Sequence, residues 1–128
     1  MPRAQVDASE VFQYAAHLGS SMDRIEPAAA KVVERGAVNV RRTSQQAIRG
    51  QTRGRYLKHY PRSITYDMIE PTVAEIGPDS AKPQGGMGRG VEFGSAHTPP
   101  MPHLIRSAED EMPNLEKWLD QVVTQGLK

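Results

Sequence analysis

A chain of 128 residues, 38% hydrophobic and only 5% aromatic, has the size of one domain and too few large side chains for a thick core. Sixteen Lys and Arg against 15 Asp and Glu leave a formal charge of +1, so net charge by itself selects no partner. The lack of cysteine excludes disulfides and thiolate metal sites. No window approaches the roughly 18 apolar residues of a membrane span, and the opening "MPRAQVDASEV" has no apolar run of the signal-peptide kind. The expectation is a protein held in a cytosol-like space, as one α+β domain over 1–128.

"DASEVFQYAAHLGSSM" opens with Asp7 and Glu10 at capping-box spacing. Val11, Ala15, Leu18 and Met22 then recur at helical spacing, which predicts a first helix over about 7–22, ending near Gly19 or just beyond it. "EPAAAKVVERGAVNVRRTSQQAIRGQ" predicts a second, long helix with Pro27 in its first turn. Its buried stripe is Ala29, Val33, Ala37, Val40, Ser44, Ala47 and Ile48; Arg35, Arg42 and Arg49 repeat every seven residues on the other face. Gly36 in the middle of such a helix implies close backbone packing there.

From Ser63 the period changes to two. Ile64, Tyr66 and Met68 alternate with polar neighbours, "TVAEIG" follows a Glu70-Pro71 turn, and "GVEFG" reads as a third strand. The polar, Gly-rich stretch 78–90 between the last two is expected to be a long flexible loop. The expected sheet is small, antiparallel and three-stranded, open to extension by a fourth strand. Two C-terminal helices follow, "HLIRSAEDEM" and "PNLEKWLDQVVTQGLK", the second starting near Pro113, and the helices pack on one face of the sheet.

Charge is unevenly spread. Lys31 to Arg62 holds nine basic residues, with Arg53 and Arg55 among them, and one acid, Glu34. Glu109 to Asp120 holds five acids, Glu109, Asp110 and Glu111 leading, and one Lys. Three readings are open: solvated helix faces, nucleic-acid contact through 31–62, or head-to-tail contact between the basic face of one copy and the acidic face of the next. Tyr56, Tyr60 and Tyr66 interleave with the basic residues as a stacking surface would, although Tyr66 also suits the buried face of a strand.

Catalytic chemistry finds little to stand on. Glu92, His97 and His103 are ligand types without ligand spacing. Ser95 lacks the second glycine of a nucleophile elbow, and "GGMGRG" lacks the Gly-Lys-Ser/Thr ending of a phosphate loop. No catalytic, cofactor-binding or metal site is expected. Within "EFGSAHTPPMPHL" the physical content is architectural: Phe93 as a core anchor, Gly94 as a turn, and Pro99, Pro100 and Pro102 as a stiff extended rod that aims the chain into the next helix.

The ordered set "YPRSITYD", "AEIGPD" and "QGGMGRGVEFGSAHTPPMPHLIRSAEDEMP" resembles the gene-product-ten-like tail-component family of long-tailed phages, the HK-ninety-seven type. The residues carrying the likeness are Glu92-Phe93-Gly94, Pro99-Pro100-Met101-Pro102 and Ala108, within about 60–128. "KHYPRSI" stands where many relatives have "PVDTG", which is nearer to versions from phages of actinobacteria. The resemblance implies a non-enzymatic virion part without cofactors, a neck or tail-completion component assembled in the host bacterial cytoplasm. It implies a homo-oligomeric ring of six or twelve copies and contacts with head-closure, connector, tail-terminator or tail-tube proteins. It also implies proximity to packaged DNA and no membrane. Arg35, Arg42, Arg49, Arg53, Arg55, Glu109, Asp110 and Glu111 are the expected interface. The alternative is a nucleic-acid-binding accessory protein using 31–62.

Overall fold

The computed structural model describes residues 4–5, 7–52 and 56–128. One helix, α1, runs from Ser9 to Thr52. A single turn, α2 (Tyr60–Ser63), leads into an antiparallel hairpin of β1 (Ile64–Glu70) and β2 (Val73–Pro78). A 3-10 turn at Gly85–Met87 runs into the short helix α3 (Gly88–Phe93), and α4 spans Leu104–Gly126. The architecture is α+β and mostly helical. α1 is the frame: α4 packs antiparallel along it, and the hairpin rests on it beside α4.

The two-helix reading of the N-terminus is overturned, because α1 passes through Gly19 and Pro27 without a break. Pro27 removes one backbone hydrogen bond. The turn around it is held from outside. Ile25 is buried against α4 at Gly126, and the Arg24 guanidinium donates to the Gly126 carbonyl at 2.9 Å. A Cβ on Gly126 would run into the Ile25 side chain, so the two helices touch backbone to side chain at that point. Pro113 likewise lies inside one continuous α4 instead of dividing two helices. Bonds from Asn39 Nδ2 to Glu111 Oε1 (2.9 Å) and packing of Leu115 on Gly36 hold the turns beside it to α1. Tertiary contact outweighs the local breaker in both places. Asp7 does accept from the Ser9 amide at 2.9 Å, which starts α1 and lowers its own carboxyl pKa.

The seam of α1 follows the expected stripe. Ala37, Val40, Ser44 and Ile48 are buried, and the Ser44 hydroxyl satisfies itself on the Arg41 carbonyl at 2.9 Å. Where α1 ends, Ile48, Leu57, Tyr60, Ile64 and Val91 form the core, with Ile76, Met101 and Leu104 packed around them. Five side chains from five places in the chain are a small core, as the composition requires.

β1 and β2 pair as expected, Ile64 opposite Pro78 and Tyr66 opposite Ile76. The third strand is overturned: residues 88–93 are helical, and among the described residues no third or fourth strand joins the sheet. Val91 and Glu92 are adjacent and both buried, which a strand with alternating faces does not allow. Phe93, expected as an anchor, points outward and is 65% exposed. The stretch expected as a hairpin tip at 78–90 therefore joins a strand to a helix. It carries a chain of turns, Lys82 N–H to the Asp79 carbonyl and Gly85 N–H to the Lys82 carbonyl, both 3.0 Å.

At Gly94 the backbone has φ +82°, and a Cβ would press on the ring nitrogen and Cδ of Pro100. Gly94→Ala is therefore expected to lower stability by about 1–2 kcal/mol. Gly50→Ala, in a helical position with open space around it, is expected to raise stability by up to ~1 kcal/mol. Urea unfolding of the two variants beside the parent checks the opposite signs.

Candidate assembly site

α4 has no capping side chain of its own in its first turn. Its free amides are met by a carboxylate eleven residues upstream. Glu92 Oε2 accepts from the backbone N–H of His103 at 2.9 Å and of Leu104 at 3.0 Å, and Oε1 accepts from Ile105 at 3.1 Å. A carboxylate at a helix N-terminus also meets the positive end of the helix dipole. Helical geometry in α3 is what aims Glu92 inward. Met101 N–H, donating to the Val91 carbonyl at 2.8 Å, then folds the proline segment back onto the end of α3. Thr98 and Ser95 close the turn between them, and Gln51 Nε2 donates to the Pro102 carbonyl at 3.1 Å.

His103 is fully buried among three side-chain and backbone partners. Its Nδ1 lies 2.9 Å from both the Met101 carbonyl and Glu92 Oε2, and its Nε2 lies 2.7 Å from the Tyr60 hydroxyl. Both neighbours of Nδ1 only accept, so this network assigns the proton to Nδ1 and leaves Nε2 to accept from Tyr60. The Tyr60 and His103 rings meet edge to face, centroids 5.3 Å apart. Burial, with the Glu92 charge behind it, pushes the Tyr60 hydroxyl pKa far up. Burial also acts to raise Glu92, but the three amides and the nearby imidazole outweigh it and bring the carboxyl below its usual value. A Tyr-His-Glu row has the look of a relay. Here it holds the phenol protonated and commits the carboxylate to three amides, the reverse of activating a nucleophile.

Of the three residues weighed as metal ligands, the structure brings Glu92 and His103 together; His97 is exposed in the 95–98 turn. Among the described residues no group of three or more His, Asp and Glu converges. Pro99 and Pro100 are exposed, and Pro102 is half-buried beneath α1. Gln84 is a fastening with no signature in residue spacing. It sits at φ +63°, its Oε1 accepts from the amides of His59 (2.7 Å) and Tyr60 (3.0 Å), and its Nε2 donates to the Tyr56 carbonyl at 3.0 Å.

The charged faces lie on α1 and α4. The Arg35 guanidinium stacks over Trp118 of α4, 4.8 Å from the ring centroid, and Arg42 donates to the Asn39 side chain at 3.1 Å. Arg49, Glu109 and Asp110 are exposed, while Glu111 is half-buried and accepts from Asn39. Arg53 and Arg55 lie outside the described residues. Although α1 and α4 pack together, the one contact within 4.0 Å between a basic side chain and a carboxylate among the described residues is His103 with Glu92. Of the three tyrosines interleaved with the basic run, only Tyr56 is exposed. Tyr60 is buried, and Tyr66 donates to Glu34 at 3.1 Å beneath Arg41.

A groove of about 350 Å³ runs between β2 and α4, floored by Gly36, Ala37 and Val40 of α1. Val73 on one wall and Met112 on the other are 43% and 46% exposed. No helix among the described residues is long and apolar enough to cross a membrane.

Because the folded Glu92 carboxyl titrates below the ordinary value near 4.3, its stabilising effect is complete above that pH and disappears as pH falls through the lower folded value. Glu92→Gln is expected to cost about 2 kcal/mol at neutral pH and to flatten the loss of stability between about pH 5 and 3. Urea midpoints measured across that range check both. Comparison with protein-family models, with curated proteins and with solved structures found no match to this chain.

Proposed function

We propose that this chain is a structural virion protein of a long-tailed-phage neck, joining the DNA-filled head to the tail by oligomerisation and protein contacts. The observation that carries the reading is the Glu92–Pro102 bracket. The residues bearing the resemblance, Glu92-Phe93-Gly94 and Pro99-Pro100-Met101-Pro102, form one fastened unit in which Glu92 caps the helix that carries Ala108. They are residues with one joint task, although Glu-Phe-Gly ends a helix here and not the strand that the family pattern implies.

The charge layout supports the same reading. Basic side chains on α1 and acidic ones on α4 are presented outward, available to a neighbouring subunit. In this reading six or twelve copies form a ring in the virion, assembled in the bacterial cytoplasm, against head-closure or connector proteins on one side and tail-terminator or tail-tube proteins on the other. The ring lies near packaged DNA, and no enzymatic step is involved. The nucleic-acid-binding alternative draws on the same basic run, but of its three tyrosines Tyr60 is buried and Tyr66 is bonded to Glu34.

Quantitative mass spectrometry of purified virions is expected to find the protein at six or twelve copies in particles with joined tails; absence from mature virions would refute the reading. Reversing Arg42 and Arg49 to Glu is expected to leave the fold intact and to reduce head–tail joining at least tenfold at physiological salt, scored as infectious particles per filled head.

A further inference from the structure

The first part of α1 lies in the open. Every residue from Val11 to Ser20 is exposed, among them Val11 at 65%, Phe12 at 72%, Tyr14 at 64% and Leu18 at 37%, followed by Met22 at 54%. Twelve consecutive residues, 11 to 22, hold no Asp, Glu, Lys or Arg in a chain that is 24% charged. Val11, Ala15, Leu18 and Met22 continue, at alternating steps of four and three, the line of Ile25 that α4 covers. α4 stops at Gly126, opposite Ile25, and the stripe runs on uncovered. A single solvated helix gains nothing from such a surface, and isolated helices of this length are marginal in water.

The same chain carries a surface of the complementary kind. α4 and β2 both pack on α1 with the groove between them. Its lining is apolar on all three sides, with Val33, Ala37 and Val40 of α1, Val73 and Ile76 of the hairpin, and Met112 and Leu115 of α4. The α4 wall, Ala108 to Leu119, and the stripe, Val11 to Met22, each cover eleven residue steps, about 16 Å of helix. The two surfaces cannot meet within one molecule, because the groove floor and the stripe are parts of one unbroken helix.

We infer that residues 11–22 of α1 dock as an amphipathic helix into the β2–α1–α4 groove of a second copy of this chain. Leu18 and Val11, on the stripe itself, enter between Val73 and Met112. The absence of charge from 11 to 22 lets the helix enter without stripping water from an ion. The contact is heterologous, each copy offering its helix to one neighbour and its groove to another, so it propagates and closes into a ring where the rotation allows. The ring rests on the assembly reading above; the contact rests on the two surfaces alone.

Sedimentation of the purified chain across a concentration series tests it. The parent is expected to associate beyond a dimer. Val11→Glu with Leu18→Glu, which spoils the stripe, and Val73→Glu with Met112→Glu, which spoils the groove, are each expected to raise the dissociation constant at least tenfold. All four positions are exposed, and circular dichroism verifies folding; if Met112→Glu lowers the melting temperature, Val73→Glu alone carries the groove arm. Mixed one to one, the helix-spoiled and groove-spoiled proteins retain one good helix and one good groove between them. They are expected to form a heterodimer and nothing larger. The inference is overturned if the parent stays monomeric, if the mixture yields no pair, or if only the helix substitutions matter, which would mean that two α1 segments pair with each other. Absence from virions together with heterodimer formation would remove the neck reading and leave this contact standing.

Discussion

One buried carboxylate ties the molecule together. Glu92 reaches from the end of α3 to three amides at the start of α4, and through His103 it is linked to Tyr60 in the turn before the hairpin. A core of five side chains cannot by itself fix how so many short pieces meet. Directional bonds supply that information, since a carboxylate satisfied by three amides tolerates little displacement of any of them. The arrangement is also vulnerable. Each member is buried, so removing one leaves the others without partners in a place where water cannot replace it.

What could be read from the sequence follows from how far each signal reaches. The stripe from Ala29 to Ile48 and the alternation of Ile64, Tyr66 and Met68 are periodic over several turns or pleats, and both survive in the structure. Breaks inferred from single residues did not survive. Gly19, Pro27 and Pro113 are local arguments for ending a helix; the contacts of Ile25, Asn39 and Leu115 across to the other helix decide against the two prolines, and a lone Gly19 costs the exposed helix only about 1 kcal/mol. "GVEFG" is too short for alternation to separate strand from helix, and a strand reading makes Phe93 the core anchor where the helix buries Val91 and Glu92. Glu92 and His103 were visible as residue types but not as partners. A cap drawn from eleven residues upstream through a proline turn leaves no signature in spacing.

The composition gains a physical explanation as well. Gly126 of α4 lets that helix close onto Ile25 of α1, and Gly36 of α1 gives room to Leu115 of α4, beside an apolar groove. Apolar surface that many proteins of this length put into one interior is divided here between a tight seam and exposed side chains such as Phe12, Val73 and Phe93. Charges follow the same division: the seam makes little use of ion pairs, and the basic and acidic runs face outward.

The seam joins residues very far apart in sequence; Arg24 bonds to Gly126 across 102 positions. During synthesis α1 emerges first and can coil on its own, but the part of its apolar stripe that α4 covers has nothing to lie against until α4 has been made. At about 5–20 residues per second that interval lasts many seconds. The closing of α4 onto α1 is therefore a late, long-range step, with the loop-closure entropy that such contacts carry. The small, weakly sticky side chains of the stripe suit a surface that must wait exposed beside ribosomes and chaperones before it is covered.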